Sequence, residues 1–145
     1  YGKYARADQE SYYRMDDYPN SEFDFYPDPT DSSKRGLALE IEVRGYQWVQ
    51  VAAEDIIIWT YWITNKGKID YKKMIFGMYG DADIGDDGDQ RDDDSWFDQK
   101  HDIVYQWDHD NKGAWGGPTA YFGWKFLESP GNPFDGIDND DDGMI

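Results

Sequence analysis

The chain has 145 residues, 31 acidic against 14 basic, a formal net charge of −17 and no cysteine. That balance excludes nucleic acid as a partner, because such affinity comes from Lys and Arg neutralising phosphates, and the missing thiols exclude disulfides and thiolate metal sites. Aromatic residues make up 18%, seven of them Trp, too apolar for a disordered chain. One domain of this length buries about 70% of the surface its unfolded form exposes.

In chain order, the first 36 residues are polar and Tyr-rich, interrupted by Pro19, Pro27 and Pro29, and show no sustained alternation. They are expected to form an irregular aromatic arm, anchored by Tyr12, Tyr13, Phe23, Phe25 and Tyr26, that packs on its own domain or reaches a neighbouring copy. From Leu37 the alternation is strict: Leu37, Leu39, Ile41 and Val43 fall on one side, Ala38, Glu40, Glu42 and Arg44 on the other, the mark of a half-buried strand. Residues 55–64 are apolar on both faces and rich in β-branched and aromatic types, which predicts a central strand covered on both sides. Asn65-Lys-Gly67 signals a turn, and residues 73–79 are expected to return from it as a third strand. Two later runs, 102–107 and 119–127, bring the expected strands to at least five. With no 3.6-residue period and Gly/Asp/Pro turns between strands, the predicted fold is all-β, an antiparallel β-sandwich with long Asp/Gly-rich calcium-binding loops. The expected organisation is an arm over 1–36, a sandwich over 37–134 and a calcium-loop segment over 135–145. No run approaches the ~20 apolar residues that cross a bilayer, so no membrane insertion is expected.

The acids are unevenly placed. Only six of the 31 are Glu, and Asp81 to Asp98 hold nine Asp against one Arg, while Asp135 to Asp142 hold five Asp and no base. A solvated acidic surface is the plain meaning of such blocks. Their alternation with Gly and Ile, between apolar segments, points instead to cation-binding turns. In the terminal segment Asp138, Asp140 and Asp142 occupy positions 1, 3 and 5 of an EF-hand-like loop, Gly143 the sharp turn at 6, and Met144 offers a backbone carbonyl at 7. The acid wanted near position 12 would lie beyond Ile145, so the sequence is expected to be a piece of a longer or processed polypeptide. A second cluster, Asp81, Asp83, Asp86, Asp87 and Asp89, follows an apolar run, with Gly85 and Gly88 allowing the backbone to fold carboxylates around one ion. Asp92 to Asp94 are expected to be solvated, with a last ligand as the alternative. Asp108 and Asp110 begin a third loop with Gly113 at position 6, but Lys112 stands where an oxygen is wanted; the two acids are therefore expected to complete the first cluster. Oxygen donors in this number suit calcium. His101 and His109 are expected at the surface, since a hard cation does not choose imidazole.

Several stretches act as a set: 7–13, Arg44 to Trp48, Ala53 to Asp55, Phe76 to Asp81, and Phe126 to Pro133 running into Asp135 to Gly143. Together they resemble a family of large, uncharacterised secreted bacterial proteins. The terminal piece separately resembles the calcium repeats of thrombospondin-like proteins, with Asp141 where that pattern often has Gly. The resemblance implies an extracellular β-rich region with calcium loops and no established activity.

The function expected from these features is a non-catalytic, extracellular or cell-surface structural module stabilised by calcium. Its partners are expected to be other copies of itself, in a fibre or surface assembly, or neighbouring domains of the same polypeptide. The alternative is a carbohydrate-binding module, in which some of Trp48, Trp96, Trp107, Trp115 and Trp124 form a platform for glycans. Glycoside hydrolysis is the residual enzymatic reading, since it needs two acids ~5–10 Å apart. Glu54, Asp55 and Glu128 lie near aromatic strands, but Asp-rich turns produce such pairs by chance.

Overall fold

The computed structural model describes residues 5–22, 24–85 and 92–128. Six strands are present among them and no helix: β1 (Gln9–Asp16), β2 (Leu39–Gln47), β3 (Ile57–Asn65), β4 (Asp93–Asp98), β5 (Ile103–Asp108) and β6 (Phe122–Lys125). They form two three-stranded antiparallel sheets, β1-β2-β3 and β4-β5-β6. The fold class is all-β. The chain divides into two units, the first ending at Ile75 and the second beginning at Phe76.

In the first sheet the register aligns Tyr13, Val43 and Tyr61 in one row and Met15, Ile41 and Ile63 in the next. Side chains alternate between faces along a strand, so these rows make one apolar face. Val43, at its centre, is fully buried. The opposite face carries Tyr12, Arg44 and Thr60, then Arg14, Glu42 and Trp62. Arg14 pairs with Glu40 and Glu42 there, and the Arg44 guanidinium lies 5.4 Å from the Tyr12 ring centroid. Gly45 gives the Trp59 ring room to cross β2: a Cβ at that position would lie 2.7 Å from Trp59 Cζ3 and 2.7 Å from Ser11 Oγ.

Over residues 1–79, three expectations are corrected. Residues 9–16, placed in an irregular arm, form β1 and pair with β2 along their whole length. The adjacent Tyr12 and Tyr13 blur an alternation that exists, with Ser11, Tyr13 and Met15 on one side, and an edge strand needs only one partner to hold it. The run around 55–64, expected to be central, is the edge strand β3, where Ile57 is 53% and Trp62 51% exposed. A run apolar on both faces matches a covered strand and an edge strand equally, so the sequence could not rank them. Residues 73–79 have strand-like composition but belong to no ladder among the described residues.

The segment between β1 and β2 is irregular and well bonded. The Asp17 carboxylate accepts the N–H groups of Leu37 at 2.6 Å and Leu39 at 2.7 Å, closing the loop onto the start of β2. Gly36, at φ 67°, is required for this: a Cβ there would fall 2.6 Å from Asp17 Oδ2. Asp28 is buried and accepts the backbone N–H and hydroxyl of Thr30 together with the Lys68 ammonium at 3.1 Å.

In the second unit, the expected strands at 102–107 and 119–127 appear as β5 and the shorter β6. β4 lies inside the Asp-rich block expected to be loop. Residues 80–85 run as a strap across one face of this sheet. Gly80 lies against the Trp124 indole of β6, Ala82 N–H donates to Gln106 Oε1 of β5 at 3.3 Å, and Ile84 N–H donates to Asp93 Oδ2 of β4 at 3.1 Å.

Candidate cation site

Asp108 ends β5 and is 2% exposed, so its carboxylate must find partners inside the fold. It finds them in the next turn. Asp110 N–H donates to one carboxylate oxygen at 3.1 Å, Lys112 N–H to the other at 3.0 Å, and Asn111 N–H to the Asp108 carbonyl at 3.2 Å. Asp is the residue type that makes such local bonds, which is why the sequence turns here. Asn111 adopts φ 55°, and its side-chain oxygen accepts both the N–H and the hydroxyl of Thr119, tying the turn to the approach of β6. On the other side, a Cβ on Gly85 would lie 2.9 Å from Asp108 Oδ2, so the strap closes over the carboxylate.

Antiparallel pairing then brings in a third acid. Asp93 stands opposite Asp108, which places Asp92, just before β4, beside the turn that follows β5; His109 N–H donates to the Asp92 carbonyl at 3.2 Å. One carboxylate oxygen from each of Asp92, Asp108 and Asp110 lies within 4.8 Å of the others. Oxygens bound to one calcium at ~2.3–2.6 Å are separated by at most about 5 Å. The spacing therefore fits three ligands sharing one hard cation, with backbone carbonyls or water completing the shell. The neighbouring Asp93 uses Oδ2 for Ile84, and its Oδ1 is buried without a hydrogen-bond partner among the described residues.

Two imidazoles flank the sheet. His109 Nδ1 lies 2.6 Å from Asp94 Oδ2 and His101 Nδ1 2.6 Å from Asp98 Oδ2. The Asp94 carboxylate raises the His109 pKa above its usual 6.5, and hydrogen bonding to His101 lowers that of Asp98. Both rings are mostly exposed, where the sequence placed them.

Of the residues named from sequence, Asp108 and Asp110 converge, and Asp92, taken as solvated, joins them. Asp81 and Asp83 are exposed on the outer side of the strap while Ala82 and Ile84 turn inward; Asp81 accepts the Tyr79 hydroxyl at 3.0 Å. Neither belongs to the convergent group. Asp86, Asp87, Asp89, Asp138, Asp140, Asp142 and Met144 lie outside the described residues. Nothing local in the sequence singles out Asp92 from Asp93 and Asp94, because its role depends on the β4–β5 register.

No protein-family model, no curated protein and no solved structure matches this chain.

Proposed function

We propose that this chain is a non-catalytic, extracellular structural module, an all-β body whose second unit is braced by calcium at Asp92, Asp108 and Asp110. The supporting observation is the meeting of three carboxylates from two strand ends around a buried Asp108 that also organises the turn. A cation there would offset their mutual repulsion and lock β4, β5 and the following turn together. Its role is mechanical, favouring the folded form by mass action. Sites of modest affinity load where calcium is millimolar, outside the cell, which agrees with the resemblance to secreted bacterial proteins. The proposal extends to assembly of copies through the edge strand β3 of the first sheet, where Ile57, Trp59 and Ile63 remain partly exposed.

Calcium titration of the full chain, followed by calorimetry, tests the bracing. Calcium at about 100 times its Kd adds about 2.7 kcal/mol, so Tm should rise relative to chelator. The Asp92→Ala/Asp110→Ala double variant should lose most of that rise. An unchanged Tm, or a rise that survives the double substitution, defeats the assignment of the brace to this triad.

A further inference from the structure

We propose that the β4-β5-β6 sheet carries, on the side opposite the strap, a binding surface for a neutral oligosaccharide. This goes beyond the cation brace and does not depend on it. Along β4 the residues on this side are Asp94, Trp96 and Asp98; the register sets Trp96 opposite Tyr105, and Asp94 opposite Trp107. The Tyr105 and Trp107 rings lie 5.5 Å apart, and Tyr121, entering β6, meets them at 6.1 and 6.2 Å. The outer members of this aromatic row are open to solvent, Trp96 at 63% and Tyr121 at 72%. Gly123 stands opposite Tyr105 on β6, so that strand position adds no side chain beside the ring. A glycine inside a strand often marks a place where a ligand approaches closely.

The chemistry of the face selects the occupant. At its rim Asp94 is hydrogen-bonded to His109 and Asp98 to His101, and Lys125 donates to the His101 carbonyl. With the chain at −17 overall, an anionic ligand is disfavoured. The face offers rings to stack on and, at the rim, carboxylate oxygens and imidazole nitrogens that accept or donate hydrogen bonds. A sugar ring presents the complement, an apolar C–H face edged by uncharged hydroxyls.

The test measures binding of cellohexaose, mannohexaose and maltohexaose to the full chain by calorimetry, in calcium and in chelator, with hexalysine as a cationic probe. At least one hexaose should bind, quench tryptophan fluorescence and protect the wild-type chain against tryptophan oxidation. Trp96→Ala and Tyr121→Ala should each weaken it about tenfold, the size expected for one stacking ring. Trp62→Ala, a half-exposed Trp on the first sheet, should leave it unchanged. Because Trp96 and Tyr121 are exposed, the variants should keep the wild-type circular dichroism; the oxidation readout on the wild type serves if one does not. Binding of no hexaose in either buffer, binding that survives both substitutions, or binding of hexalysine alone overturns the proposal. Loss of the calcium effect on Tm with hexaose binding intact would remove the brace and leave this surface standing.

Discussion

Replacing Asp108 by Asn separates the structural work of this carboxylate from any cation chemistry. The amide has nearly the same shape but only one acceptor oxygen, while the native carboxylate accepts Asp110 N–H at one oxygen and Lys112 N–H at the other. Whichever way the amide is oriented, one of those N–H groups faces an NH₂ donor and loses its partner. At a residue 2% exposed, water replaces that bond poorly, and an unsatisfied buried donor costs about 1–3 kcal/mol. Asp110→Asn is the comparison: Asp110 is exposed and, among the described residues, its side chain holds no hydrogen bond that shapes the turn, so in chelator it should change stability by no more than about 0.5 kcal/mol. The assay is denaturant unfolding in chelator, followed by tryptophan fluorescence, with hydrogen exchange at the Asp110 and Lys112 amides. Exchange at one of the two should accelerate in Asp108→Asn. Equal stability of Asp108→Asn and wild type in chelator would refute the view that this carboxylate organises the turn by itself. In calcium, both substitutions should additionally lower the gain from the ion.

Two further outcomes follow from other parts of the fold. Thr30, through its hydroxyl and N–H, and then Lys68 hold the Asp28 pKa down to about 2; the folded state thus binds this proton less readily than the unfolded chain. Its stabilisation should be complete above about pH 4 and vanish as pH falls toward about 2, and Asp28→Asn should flatten the acid limb of a stability-versus-pH curve in that window. A methyl on Gly80 would fall 1.9 Å from Trp124 Nε1, so Gly80→Ala should destabilise the second unit by about 1–3 kcal/mol through overpacking and raise hydrogen exchange at Ala82 and Ile84; wild-type unfolding would show that the strap does not rest on the indole.

How much could be read in advance differs from strand to strand. β2 was legible because Leu39, Ile41 and Val43 alternate with Glu40, Glu42 and Arg44, and a half-buried strand leaves that trace in any sequence. β5 was legible from its β-branched and aromatic run. β4 was not, since Asp93 and Asp94 read as loop and only the ladder with Trp107 and Asp108 makes them strand. The residues at 73–79 show the converse: they have strand-like composition but are not in a strand.

By itself the sequence determined the all-strand class, the turns favoured by aspartate and glycine, and the chemistry on offer, hard oxygen donors and aromatic rings. These are properties of residues and their near neighbours, and they survive whatever the chain does at long range. Which carboxylates meet was decided by tertiary structure alone. Asp92 and Asp110 are distant in sequence, and one step of slip between β4 and β5 would turn alternate side chains to the opposite face. That register joins Asp92 to Asp108 and Asp110 while the strap leaves Asp81 and Asp83 facing outward, because pairing between strands is a non-local bond that no short window of sequence contains.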